Sequence, residues 1–442
     1  MPNIRRRRGQ TAEPRDWALT WTLLFTAVLF LRPQDILPPL EALHLAELTA
    51  IAGLVSLFLG RLRRGLAPSR LTPDLVGVIA LGAVILITAP FSVWMGGSLH
   101  VFTELYAKVI LAYLLMVNVI WSPRRLERLT WVLVLVVGYV GFRAIIDYVR
   151  GANLVGHGTR VQGSVGGIMG NPNDLALNMV AFLPLAAFVV LRREVPTVRR
   201  CLAALCAFFM VGAIVASGSR GGFLGFVCMT LVMAAVSIRR HPGIVMGGAL
   251  AVFLALPLLP ASYWHRIDSI ADESKDDFGS AQTRRTLLAE SLRAFEENPV
   301  TGVGAGEFKD WDPEGRDQAW HEAHNVLLQV AAELGIAGLA VFVFLIGRAF
   351  SAVLQTRWRL RYATSLSPED RSVLEGHSAA MLASLTGWFV CALFASVAYN
   401  WTFYYLLALA AAPREMLGDR TSRATVRARA KQNPLVAEAS RA

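Results

Sequence analysis

The 442-residue chain is 55% hydrophobic and 17% charged, with a mean hydropathy of +0.47, which is too apolar for an ordinary soluble domain. Its formal net charge of +11 does not point to nucleic acid, because the basic residues are spread in short clusters between apolar runs and form no aromatic and basic domain. Cys201, Cys206, Cys228 and Cys391 all fall inside apolar runs without a Cys-x-x-Cys pair, which argues against a disulfide framework or a zinc site and for buried bystanders.

Arg5 to Arg8 and Arg15 precede the first apolar run as in a signal peptide, yet Arg32-Pro33-Gln34-Asp35 closes it without a small-residue cleavage site, so the expectation is an uncleaved span. Apolar runs of spanning length fall near 17–31, 40–59, 75–92, 101–120, 129–146, 174–191, 201–217, 222–238, 243–259, 325–346, 378–393 and 396–412. The predicted fold class is an all-α integral membrane protein with about twelve transmembrane helices. Most of the 43 lysines and arginines fall in alternate connections, which places both termini in the cytoplasm. The expected order is a basic cytoplasmic N-terminus over 1–16, helices 1–9 over 17–259 and one long extracytoplasmic loop with short helices over 260–323. Helices 10–12 over 324–412 and a basic, disordered cytoplasmic tail over 413–442 complete it.

Asn171-Pro172-Asn173-Asp174 follows a Gly-rich crossing and suits a turn and N-cap for the next helix. Ser217-Gly218-Ser219-Arg220-Gly221-Gly222 forms a tight turn between two apolar runs. Arg220 there either snorkels to head groups or, beside two glycines at a helix N-terminus, meets phosphate. In the long loop, 282–297 has helical character, with Leu287, Leu288, Leu292 and Phe295 close to one face and Arg284 at the start. Asn298-Pro299 ends that helix and 301–306 is expected as a flexible turn, without the preceding strand a dinucleotide site requires. His321 and His324 are spaced by three, whereas the metalloprotease pair needs four, so no metal site is expected; the bland alternative is a pair of interfacial helix-start residues. Asp272, Glu273, Asp276 and Asp277 read as a solvated charge run.

GNPNDLA before a helix, SGSRGG in a tight turn, TRRTLLAESLRAFEENPVTGVGAGEF in the loop, and His324-Asn325 followed by LLQVAAELGIAGL occur in one order. Together they resemble the O-antigen ligase and polymerase superfamily of bacterial envelope glycosyltransferases over about residues 165–345. One departure is Leu288, where the family often has Trp four residues after the loop Arg; alignment on Phe295 and Asn298-Pro299 favours Arg284 over Arg285 as the matching position. The resemblance implies an inverting enzyme of the bacterial inner membrane, acting on the periplasmic side without a cofactor or obligatory metal. Its partners would be the bilayer, a polyprenyl diphosphate-linked glycan donor and lipid A-core or another glycan or glycolipid acceptor, with no nucleic acid. Arg220 and Arg284 match the family's diphosphate-contacting arginines and His324 its functional His, which make the catalytic set. Arg285, His321, Asn171, Asn173 and Asp174 are the expected substrate-binding residues. An imidazole with an unperturbed pKa of about 6.5 takes up a hydroxyl proton near neutral pH.

Ligase-type transfer is the first reading, and a polymerase of the same superfamily is the alternative. A transporter is a third, weakened by how few charges (Glu47, Glu104, Lys108, Asp147, Glu333) fall inside the spans and by their lack of a row across them.

Overall fold

The computed structural model describes residues 16–239, 242–243, 246, 264, 268, 280–312, 321–364 and 366–432, except 157 and 164–166. All but 243 and 246 of the expected span at 243–259, the acidic run at 272–277 and Arg5 to Arg8 lie outside the described residues.

The apolar runs become helices α1 (Trp17–Leu31), α2 (Leu45–Leu62), α3 (Pro73–Thr88), α4 (Met95–Val101) and α5 (Ala107–Val119). A π-helical turn, Phe102–Tyr106, joins the last two. Next come α6 (Pro123–Arg150), α7 (Pro172–Leu191), α8 (Thr197–Ser217) and α9 (Arg220–Ser237). The order closes with α10 (Ser280–Glu297), α11 (Val326–Tyr362), α12 (Pro368–Ala392) and α13 (Trp401–Gln432). Among the described residues, eight helical stretches are long and apolar enough to cross a membrane, and α1 is a shorter apolar helix. Several starts share one local logic: Thr72, Ser122, Asn171 and Ser367 each cap the free N–H groups of a helix whose first residue is proline. Helix α7 is buried on nearly every side, as its all-round apolar sequence requires, and packs against α8, α9, α12 and α6.

Helix α11 is broken at Gly335, whose φ of 64° and ψ of −164° suit glycine alone. The break leaves backbone groups without helical partners, and the turn after α10 supplies them. Val303 N donates to Ala332 O and Gly304 N to Glu333 O, both at 2.9 Å, while Ile336 N donates to Pro299 O at 2.8 Å. The turn at 301–306 is therefore packed rather than flexible: Val303, Ala305 and Phe308 are buried, and Val93 N donates to Val303 O at 2.9 Å. The buried face of α10 is Leu287, Ser291 and Ala294, with Phe295 half-buried. Leu288 and Leu292 are exposed instead.

The expected boundary at residue 413 is also corrected. Pro413 lies inside α13, and Arg414, Met416 and Leu417 beyond it are buried. Arg414 pairs with Asp74 at the start of α3, and Arg348 Nε of α11 donates to the same carboxylate at 2.6 Å. Two guanidinium groups neutralise a wholly buried aspartate, so the helix cannot fray at the proline without stranding that charge. Of the cysteines, Cys206 and Cys391 are buried, while Cys201 faces outward from α8.

Alanine at 335 would bring a Cβ within 2.7 Å of Pro299 O and 2.6 Å of Val300 O. Gly335→Ala should therefore lower stability by about 1–3 kcal/mol or more, read as an earlier melt of the purified protein in detergent. Gly347→Ala, with open space around it in the same helix, should be neutral or slightly stabilising. Identical melts for Gly335→Ala and wild type would contradict the break.

Candidate functional site

Three helix N-termini and one connection meet at one end of the bundle. The first is that of α7, where Asn171 Oδ1 accepts from Asn173 N and Asp174 N at 2.9 Å and Asn171 Nδ2 donates to Asp174 Oδ2 at 2.6 Å. Asn173 faces the neighbouring turn, where its Oδ1 accepts from Ser219 Oγ at 2.8 Å and from Arg160 Nη2 at 2.9 Å. Arg160 comes from a two-stranded hairpin, β1 (Leu154–Val155) and β2 (Arg160–Val161), and its Nε also donates to Ser217 O at 3.0 Å. Nothing in the Gly-rich crossing marked this arginine beforehand.

At the second N-terminus, Gly218 ends α8 in the left-handed region and Ser219 caps α9 by accepting from Gly222 N at 3.1 Å. Arg220 is thus the first residue of α9, with 8% of its surface exposed. Gly221 and Gly222 allow close packing here. A Cβ on Gly222 would lie 2.5 Å from Ala176, and one on Gly221 3.0 Å from Phe394.

Phe394 belongs to the connection 393–400 between α12 and α13, which the sequence reading passed over. It runs beneath the third N-terminus, that of α11. His324 N donates to Ser396 Oγ at 2.9 Å, and Ala398 N donates to Gln329 Oε1 at 3.1 Å. His324 carries a φ of 48°, uncommon for a residue with a side chain. Asn325 then caps α11, accepting from Leu327 N at 3.0 Å and Leu328 N at 3.1 Å. His321 is exposed and non-helical, so it is not one helical turn before His324 on a shared face. From the other side α10 brings Arg284, its Cζ 5.9 Å from the centre of the Phe394 ring. Arg285, one residue on and about 100° further round, is exposed.

The structure thus brings Arg220, Arg284 and His324 around the 393–400 connection, with Asn171, Asn173 and Asp174 on the adjoining helix end. Burial first, then the positive charge of Arg284 and of His321, lowers the His324 imidazole to about 4. The imidazole is neutral from about pH 5 upward, which differs from the unperturbed value expected from its type. Burial and the neighbouring Asp310 push Glu307 up to about 7, and burial raises Glu322. Elsewhere the charges within the spans have local partners: Lys108 lies 3.1 Å from Glu104 and 3.3 Å from Glu47, and Asp147 accepts from Asn153 at 2.9 Å. Glu333 accepts from Gly306 N at 2.9 Å.

The apolar helices and the charged groups gathered at their ends define a multi-pass, mostly helical membrane protein whose candidate site lies at the helix ends. Residues 205–343, less than half of the chain, match the family model described as O-antigen ligase, a similarity that supports a membrane enzyme of the O-antigen ligase or polymerase type. The matched stretch includes Arg220, Arg284 and His324 and stops before the 393–400 connection. No curated protein matches the chain.

The electrostatics are testable by ¹³C-histidine NMR of the purified protein, with the His324 signal assigned by its loss in His324→Gln. It should titrate near 4, and Arg284→Gln should move it upward while leaving it below about 6.5, because burial is the larger cause. A wild-type titration near 6.5 would show that His324 is not buried in this way.

Proposed function

We propose that the protein transfers a glycan from a polyprenyl diphosphate carrier to a hydroxyl of an envelope acceptor, lipid A-core or a similar glycolipid, as an O-antigen ligase does. The observation that carries this reading is the meeting of Arg284, Arg220 and His324 around one short connection, with Arg220 at a helix start where an anion is favoured and Arg284 in the second turn of α10.

In this reading the donor diphosphate lies between Arg220 and Arg284. The acceptor hydroxyl attacks the anomeric carbon from the opposite face, the bond from that carbon to the diphosphate oxygen breaks, and the hydroxyl proton passes to His324. The carrier leaves as a diphosphate anion held by the guanidinium forks, and the configuration inverts. Asn171, Asn173 and Asp174 hold the sugar-side wall; Arg285 and His321, both exposed, reach the acceptor. No metal is required, because the arginines supply the charge that a divalent ion supplies elsewhere. The site faces the periplasm from the inner membrane, with both termini cytoplasmic.

His324→Ala should reduce turnover by about 10²- to 10⁴-fold while carrier binding persists. Arg220→Ala and Arg284→Ala should each weaken transfer strongly, with lysine restoring it only in part, and Arg285→Ala should matter less. The deciding assay gives purified protein a polyprenyl diphosphate oligosaccharide with and without lipid A-core and weighs the product. Glycan joined to core supports the proposal, whereas longer carrier-linked glycan made without core would make the enzyme a polymerase. Loss of activity with chelator, restored by Mg²⁺, would overturn the metal-free reading.

A further inference from the structure

The helices whose starts build the candidate site build a second, unassigned site at their other ends. Past the end of α7, near the ends of α9 and α11 and along the first turns of α12, a cavity of about 590 Å³ is lined by Arg192, Arg193, Arg239, Arg357, Arg361 and Arg371. Two glutamates, Glu194 and Glu375, also line it. Helix α7 alone places this cavity about 30 Å from Asn171, at 1.5 Å per residue over its 20 residues. It is therefore separate from the place where Arg220, Arg284 and His324 meet.

Part of this basic lining is built in. Arg192 has 7% of its surface exposed, its Nη1 pairs with Glu127 Oε1 of α6 at 2.6 Å, and its guanidinium lies over Phe188. Its buried Nε has no hydrogen-bond partner among the described residues, and Glu194 Oε2 is 4.0 Å from it. A buried guanidinium N–H left open beside a cavity is costly unless an acceptor fills the place. Arg371 is held by Leu360 O at 2.7 Å and Glu375 at 3.3 Å, so it stands as a fixed post at the mouth. Arg193, Arg239 and Arg361 are exposed around it. The surplus of guanidinium over carboxylate calls for a multiply bonded anion, and forked N–H donors suit phosphate oxygens.

The remaining lining decides what carries the phosphate. Leu191, Met233, Val236 and Leu360 also line the cavity, and they lie where apolar spans give way to basic connections. A soluble anion gains nothing from such a wall, whereas an acyl chain does. We propose that this cavity binds the phosphate head group of an anionic membrane phospholipid, with its acyl chains against α9, and that the lipid ties the ends of α7, α9, α11 and α12 together on the face opposite the candidate site.

The test is native mass spectrometry of the full chain in detergent, titrated separately with dioleoylphosphatidylglycerol, dioleoylphosphatidylcholine and inorganic phosphate. The phosphatidylglycerol adduct should persist at activation energies that strip phosphatidylcholine, and its apparent affinity should fall at least tenfold in the triple variant Arg193→Gln, Arg239→Gln, Arg361→Gln. These three residues are exposed, so the variant should fold, and an unshifted melt without added lipid checks this. Arg192→Lys, which keeps a charge but loses the open Nε, provides a second reading and should also weaken the adduct. Equal retention of the two lipids, or unchanged binding in both variants, would overturn the proposal. Displacement of phosphatidylglycerol by millimolar inorganic phosphate would overturn the lipid source and leave a free phosphate site.

Discussion

Backbone groups released in an apolar surrounding must find partners, and the break in α11 is where this chain meets that constraint most sharply. Its carbonyls at Ala332 and Glu333 and its N–H at Ile336 are met by the turn from Pro299 to Gly304. Because that turn follows α10 directly, docking it fixes the end of α10 and thereby the height at which Arg284 stands. The same break controls the other wall. Glu333 takes Gly306 N–H, and Gln329, one turn before, takes Ala398 N–H from the connection that carries Phe394 and Ser396. One broken helix thus sets the positions of both segments that approach His324.

This arrangement explains the run of glycines after Asn298. A Cβ on Gly302 would lie 2.3 Å from the Glu333 carbonyl, and Gly302, Gly304 and Gly306 all have positive φ. The glycines allow two backbones to touch, a use that leaves the same trace in sequence as flexibility does. The expectation of a flexible turn failed for that reason, since composition reports which conformations are permitted and not what fills the space alongside.

Elements set by local chemistry were legible in the sequence. The cap followed by proline at Asn171, most of the apolar runs, and the Gly218 to Arg220 turn appear where their residue types place them. What remained hidden depends on distant chain segments. The 393–400 connection has no charge and reads as a weak point in an apolar run, yet it supplies the Ser396 acceptor under His324. Arg160 was one basic residue in a glycine-rich crossing until the hairpin turned it toward Ser217 and Asn173. The end of α13 was misjudged because Arg414 looks like a tail charge, and only Asp74, 340 positions away, shows why it is buried.

On the proposed function, the low pKa of His324 links donor binding to base strength. A base with a pKa near 4 accepts a hydroxyl proton poorly, so the free site is a weak base. Burial is the larger part of that depression, and Arg284 is the next. A diphosphate between the arginines brings at least two negative charges close to the imidazole, which offsets the repulsion from Arg284 and favours the protonated ring. Donor binding would raise the base toward neutrality before the acceptor reacts, while a site holding acceptor alone would leave it weak. Arg284 would then act twice, first by holding the base down and then by drawing in the anion that releases it.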